Sequence, residues 1–309
     1  MSVNVKEFKV GSSDSVHTLA GVVYEPECEA KGYFHIVHGM TEHIGRYDKF
    51  MRDMAEQGFI CFGYDHLGHG YTANDDSELG YIAEKEGWDL LCRDVKVYSD
   101  AVMSEYGKDK PYILMGHSMG SFVVRVATEK YVHPDKLIVM GTAGPNPAAG
   151  VGLALISVIK FFNGDKHFSK LIDNIAFGSY NNRFGGGSES DPKPWLTNDE
   201  SIREKYYADK FCTFNFTVSA MGDLITLIKT SNRKDWFCSI DKAMPVLLVA
   251  GEDDPVGDYG KGVQTVYNNL KAQGVDTQCI LYPKARHEIL NDFTYDNVRC
   301  DILRFCDRS

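Results

Sequence analysis

Gly116-His117-Ser118-Met119-Gly120 sets a serine between two glycines, each two residues away. A serine hydroxyl becomes a useful nucleophile only on a backbone that exposes it and beside a base that takes its proton. The G-x-S-x-G spacing suits the first need. On a very sharp strand-to-helix turn, side chains two before and two after the serine would collide, so glycine fits at both. The pentapeptide alone is short enough to arise by chance. Its setting strengthens it, because the apolar run Tyr112 to Met115 leads in and the helical pattern Ser121 to Lys130 leads out. The following helix would point its N-terminus at the site and favour developing negative charge.

The base and its orienting acid must follow in the chain, in the order serine, carboxylate, histidine. Only His133, His167 and His287 lie downstream of Ser118. His133 precedes a proline at a helix end, and His167 falls in an irregular helical stretch. His287 follows the strand-like Gln278 to Tyr282 through a short turn, which places it at the sheet edge where catalytic groups gather. For the acid, Val246 to Ala250 runs into Gly251-Glu252-Asp253-Asp254-Pro255, with Asp258 close by. Chemistry alone leaves these four carboxylates open. Asp254, held extended by the proline after it, is the preferred member. An oxyanion hole needs two backbone N–H groups: Met119 supplies one, and Met40, at the end of the early strand Tyr33 to Val37, supplies the other. The histidines of 38–43 and 66–69 cluster, but their spacing matches no familiar metal site. Neither a metal nor an organic cofactor is expected.

These side chains need a scaffold, and the pattern of apolar runs outlines one. Val3 to Val10 and Thr18 to Tyr24 alternate like an antiparallel pair. Short apolar runs then alternate with helix-length amphipathic segments: Tyr33 to Val37, a helix Tyr47 to Gln57, Ile60 to Tyr64, a helix Trp88 to Tyr106, Tyr112 to Met115, a helix Met119 to Lys130, and Leu137 to Met140. This predicts a mostly parallel sheet with helices on both faces. The alternation breaks at Gly144-Pro145-Asn146-Pro147 and resumes at Val246, with a helix from Gly262 to Ala272, the strand Gln278 to Tyr282 and a last helix near Asp292 to Phe305. Residues 1–144 and 242–309 therefore read as one core domain, and 145–241 as an inserted helical cap, with 183–194 as a loop.

Composition bounds the rest. A net charge of −10 argues against nucleic-acid binding, which needs clustered lysine and arginine. The first ten residues lack the apolar core of a secretory signal, and no run approaches the ~18 apolar residues of a membrane span. Eight cysteines, with no C-x-x-C pair, read as free buried thiols of a cytoplasmic protein rather than a disulfide framework.

Taken together, the motifs resemble the monoglyceride lipase, lysophospholipase and serine aminopeptidase-like branch of the α/β-hydrolases. His38-Gly39-Met40-Thr41-Glu42-His43 is similar to the family's H-G-x-x-E-H oxyanion segment, and Asp65-His66-Leu67-Gly68-His69-Gly70 to its D-x-x-G-x-G turn. Gly116 to Gly120 resembles its G-H-S-M-G elbow, and Arg286-His287-Glu288 its histidine loop. In the resembling acid loop the aspartate before proline is the catalytic one, which raises Asp254 above its neighbours. The resemblance implies an α/β-hydrolase fold and two-step ester hydrolysis by Ser118, His287 and Asp254. Expected substrates are small esters or lipid esters such as monoacylglycerols and lysophospholipids. An aminopeptidase-like activity is the alternative; a non-enzymatic binding protein would be missing a triad member, and none is missing. Aspartate-nucleophile dehalogenases and epoxide hydrolases are disfavoured by Ser118. The cap reads longer than the family's usual one. Its apolar stretches Val151 to Phe162 and Phe211 to Leu227 either bury each other or form an acyl tunnel and a transient lipid-contacting surface.

Overall fold

Each apolar run becomes a strand of one sheet in a computed structural model that describes residues 3–308. Met1, Ser2 and Ser309, counted above in the N-terminal segment and the core domain, lie outside the described residues. The strands are β1 (Asn4–Gly11), β2 (Thr18–Glu25), β3 (Gly32–Val37), β4 (Phe59–Tyr64), β5 (Tyr112–His117), β6 (Lys136–Met140), β7 (Val246–Gly251) and β8 (Thr277–Tyr282). Their spatial order is β1-β2-β4-β3-β5-β6-β7-β8. β1 and β2 pair antiparallel, β2 meets β4 antiparallel, and every later pairing is parallel.

Side-chain alternation divides each central strand between two cores. In β5, Leu114 enters one core, while Ile113 and Met115 enter the other; in β7, Val246, Leu248 and Ala250 oppose Leu247 and Val249. Helices α1 (Asp48–Glu56) and α10 (Tyr295–Cys306) cover the second face with Phe50, Met51, Met54, Val298, Ile302 and Phe305. On the first face lie α2 (Gly87–Tyr106), α3 (Met119–Lys130) and α9 (Lys261–Ala272). Burial on both faces is why the strands read as continuous apolar runs rather than alternating ones.

Between β6 and β7 the chain forms α4 (Ala149–Asn163), α5 (Lys170–Phe177), α6 (Glu200–Ala208), α7 (Val218–Ser231) and α8 (Lys234–Ser239). The two apolar stretches expected in the cap have different fates. α7 packs on α2 and α3 and joins the main core through Ala220, Met221, Leu224 and Leu227. α4 rests on α7 with Ile156, yet leaves Val151, Val158, Phe161 and Phe162 in solvent. Residues 183–194 hold only turns, as their glycines and prolines suggested. At the far end of α7, Arg125 of α3 is fully buried with no carboxylate partner among the described residues; it donates to Thr142 Oγ1 at 3.2 Å and to Ser231 O.

A carboxylate ties α7 to the start of α2. Asp223 of α7 accepts a hydrogen bond at 3.0 Å from Trp88 N, at the start of α2, and burial pushes its pKa up to about 7. The folded state therefore prefers the neutral acid. This group's contribution to stability is complete below about pH 4 and declines as pH rises through about 7, by at most about 4 kcal/mol. Asp223→Asn is expected to remove that slope, so its Tm relative to wild type rises between about pH 4 and pH 7 and levels off above. Thermal melts across that range check this; a difference that does not vary with pH contradicts it.

All eight cysteines are free, but not all are buried. Cys28, Cys238 and Cys300 are exposed. Cys300, expected in an apolar setting, lies on the outer side of α10, whose inward face is carried by Val298, Ile302 and Phe305. Among the described residues no helix is long and apolar enough to cross a membrane.

Candidate active site

Ser118 follows β5 directly and precedes the first residue of α3, and its backbone sits at φ 53, ψ −119. This left-handed conformation is costly for a residue with a Cβ, and neighbouring packing must enforce it. The flanking glycines make that possible. A Cβ at Gly120 would stand 2.1 Å from Val37 O, and one at Gly116 would stand 2.3 Å from Gly120 O. Gly39 is needed for a related reason, since a Cβ there would meet Ser118 Cβ at 2.8 Å.

The expected partners come from the ends of β7 and β8. His287 Nε2 lies 2.8 Å from Ser118 Oγ, and its Nδ1 lies 2.9 Å from Asp254 Oδ2. Asp254 is fully buried, and its other oxygen accepts from Val256 N at 2.9 Å. Among the competing acids, Glu252 and Asp258 are exposed and Asp253 is half-buried. His133 is exposed, and His167 lies between α4 and α5. The structure thus brings Ser118, His287 and Asp254 into one hydrogen-bonded chain. Such a chain can pass the serine proton to imidazole while the carboxylate balances the charge. Met40 and Met119, the expected oxyanion donors, border the same cavity as Ser118 and His287.

That cavity has a volume of about 960 Å³, and its two ends differ. Phe122, Ala143, Phe214, Phe216, Leu224 and Ile228 make one part apolar, whereas Thr41, Glu42, Lys193 and Glu288 make another polar.

With this geometry in view, comparison with known proteins is informative. The Hydrolase_4 family profile, described as Serine aminopeptidase, S33, matches residues 28–294. The chain belongs to this family. A monoglyceride lipase of Rattus norvegicus is 25% identical over 273 residues, covering 85% of this chain and 78% of that protein. A monoacylglycerol lipase of Mycolicibacterium smegmatis is 28% identical over 49% of this chain, so the match spans about half (54%) of that relative's length. Among solved structures, a thermostable carboxyl esterase from Bacillus coagulans, crystallised with glycerol, superposes with a TM-score of 0.91 at 27% identity, covering 99% of both chains. A monoglyceride lipase from Saccharomyces cerevisiae shares the fold at 17% identity, with a TM-score of 0.75. The chain thus has the α/β-hydrolase fold of this hydrolase family.

One functional group of this Hydrolase_4 member escaped sequence reasoning. Glu42, expected only as part of the H-G-x-x-E-H pattern, is a buried hub. It accepts from Gly39 N at 2.5 Å, from Tyr47 OH at 3.0 Å and from Arg46 at 3.0 Å, and its Oε1 pairs with His117 Nδ1 at 3.0 Å. Burial pushes its carboxyl up, but the His117 bond and the Arg46 charge outweigh that and hold it well below the usual range. His117 responds in the opposite sense: burial lowers it, and Glu42 raises it on balance. Arg46 is further clasped by both oxygens of Glu288 at 2.7 Å, beside His287. Residues far apart in the chain meet in this cluster, and only Glu42 was visible beforehand, within the H-G-x-x-E-H pattern. Glu42 fixes the loop that carries Met40, so Glu42→Gln is expected to lower kcat about ten- to a hundredfold with a smaller change in KM. Steady-state kinetics check this, and an unchanged kcat refutes it.

The histidine clusters have other uses. His38 Nδ1 contacts Gly39 O at 2.8 Å and its Nε2 accepts from His66 N at 3.0 Å, while His66 and His69 bond carbonyls of residues 38 and 67. Burial pushes His38 down to about 3 and His69 to about 4, so both rings are neutral. His43, Asp209 and Cys212 offer donor atoms within 4.8 Å of one another, and there His43 Nε2 already bonds Asp209 at 2.9 Å.

Proposed function

We propose that this protein hydrolyses carboxylic esters of small alcohols and lipids, with monoacylglycerol and lysophospholipid-type esters as the natural class, through an acyl-enzyme on Ser118. The observation that carries this reading is the hydrogen-bonded chain Ser118–His287–Asp254 opening onto a cavity with an apolar end. Ser118 Oγ attacks the ester carbonyl while His287 Nε2 takes its proton. The Met40 and Met119 amides hold the oxyanion. His287 then protonates the leaving alcohol, water repeats the attack with His287 as base, and the acid departs. Asp254 fixes the ring with its proton on Nδ1 and balances the imidazolium charge.

Residues 145–241 act as the cap. Phe214, Phe216, Leu224 and Ile228 supply the acyl wall, and the outer face of α4, with Phe161 83% and Phe162 77% exposed, meets lipid surfaces transiently. Its unbonded thiols suit a reducing, cytoplasmic compartment.

The family description favours a second reading, removal of N-terminal residues from peptides. That activity needs a free carboxylate to hold an α-ammonium; of the acids lining the cavity, Glu42 and Glu288 are engaged by Arg46, which leaves Asp173 and Asp258 for that role. The test is a series of p-nitrophenyl esters of rising chain length beside aminoacyl anilides, each ester assayed as monomer and as micelle. Ester turnover that improves with chain length and at the interface is expected; preference for anilides overturns the assignment.

A further inference from the structure

His287 fixes which side of the cavity receives the leaving alcohol, because its Nε2 must deliver the proton on which that alcohol departs. The segment packed against the ring is 193–197. Trp195 stands 5.3 Å from the His287 ring, centroid to centroid, and His287 N donates to Trp195 O at 3.4 Å. Glu288 N donates to Leu196 O at 2.7 Å, and Arg286 Nη1 to Pro194 O at 2.6 Å. The position of this segment is therefore set by the histidine loop itself.

Lys193, two residues before Trp195, projects into the same cavity. Its ammonium has one polar partner among the described residues, the hydroxyl of Tyr206 at 3.2 Å. Tyr206 in turn shares a hydrogen bond with Thr41 Oγ1 at 2.8 Å, next to Met40. No carboxylate of the described residues pairs with Lys193. Glu288 is occupied by both guanidinium nitrogens of Arg46, and Glu42 by Arg46, Tyr47 and His117. Asp173, which shares the cavity, forms no ion pair with Lys193 and acts on it only through its charge. Burial lowers the Lys193 pKa, with Asp173 opposing. A cation withdrawn from water without a direct ion pair is costly, and an anionic ligand is what would offset that cost.

We infer that Lys193 selects esters whose leaving alcohol carries an anionic group, a phosphate or a carboxylate, over neutral esters of the same size. This deepens the ester-hydrolase reading and rests on it. The acyl chain occupies the aromatic end, the carbonyl sits over Ser118, and the anion of the alcohol accepts from Lys193 Nζ, with Tyr206 steering the ammonium. A positively charged α-amino group would meet the wrong sign at the same point.

Short, fully soluble substrates separate this from effects of interfaces: 1-butanoylglycerol, 1-butanoylglycerol 3-phosphate and 3-O-butanoylglycerate. A charge-assisted hydrogen bond of ordinary strength predicts kcat/KM about ten- to a hundredfold higher for the anionic esters than for the neutral one. The gain should lie mainly in KM, since the contact exists before and during the reaction. Lys193→Met should collapse the ratio to near unity, and Lys193→Arg should restore most of it. For the wild type alone, glycerol 3-phosphate should inhibit competitively at concentrations where glycerol does not. A preference confined to the phosphate ester supports the inference and narrows the anion. Equal turnover of all three esters, with Ser118 still labelled by a fluorophosphonate, overturns this inference alone; absence of both labelling and turnover overturns it together with the hydrolase reading.

Discussion

Ser118→Ala should lower ester hydrolysis by roughly four to six orders of magnitude while leaving the fold intact. The size of the loss follows from the part the hydroxyl plays. In the proposed mechanism it is the atom that bonds to the acyl carbon, and no other hydroxyl hydrogen-bonds His287 Nε2 among the described residues. What would survive is the modest catalysis available from binding and oxyanion donors alone. A companion variant separates chemistry from strain. The backbone at Ser118 lies in a left-handed region that alanine tolerates no better than serine, whereas glycine adopts it freely. Ser118→Gly is therefore expected to be equally inactive but more stable, by about 1 kcal/mol. Single-turnover assays and thermal melts of both variants check this. Residual activity above one per cent in either would remove Ser118 from the reacting position.

Asp254→Asn has the next largest expected effect, a fall in kcat of about 10⁴-fold. Asp254 accepts the Nδ1 proton of His287, which leaves Nε2 free to receive the proton of Ser118. An asparagine amide in the same place can turn its NH₂ toward Nδ1 and stabilise the tautomer protonated at Nε2. That tautomer cannot act as a base. The isosteric replacement should leave the Tm close to wild type, so the loss reads as chemistry rather than unfolding. Asp253→Asn and Asp258→Asn serve as controls and should retain activity within severalfold, because neither side chain bonds His287 among the described residues. If either control lost as much as Asp254→Asn, the acid would have been misassigned.

The sequence displayed those two residues with unequal clarity, and the reason is geometric. Ser118 announces itself because the elbow needs glycines at fixed spacing, so local chain geometry is written in local sequence. His287 could be found because few histidines follow the serine and only one follows a strand. Asp254 shares its turn with three other acids, and only burial separates it from the exposed Glu252 and Asp258. The strands were readable because sheets buried on both faces leave unbroken apolar runs. The cap was not readable in the same way. α4 and α7 are both strongly apolar, but α7 is driven into the core against α2 and α3 while α4 keeps its phenylalanines in solvent, and nothing in either helix's own pattern states which neighbour it will meet.

Glu42 and Lys193 were illegible for a further reason. Glu42 matters through Gly39, Tyr47, His117 and Arg46, which converge only once β3, α1 and β5 are assembled. Lys193 sits in a glycine- and proline-rich stretch that reads as an ordinary surface loop. Its position over the active site is imposed by hydrogen bonds from the histidine loop to the carbonyls of Pro194, Trp195 and Leu196, a contact separated by some ninety residues of chain. Long-range placement of this kind leaves no local trace.

The central claim, that Ser118 is the nucleophile activated by His287 and Asp254, is tested most directly by covalent trapping. Wild-type protein treated with a fluorophosphonate and digested should yield one modified peptide, the one containing Ser118. The labelling rate should fall steeply in Asp254→Asn and vanish in Ser118→Ala. No adduct on Ser118 in folded wild-type protein, or an adduct on another residue whose formation tracks the loss of activity, would contradict it.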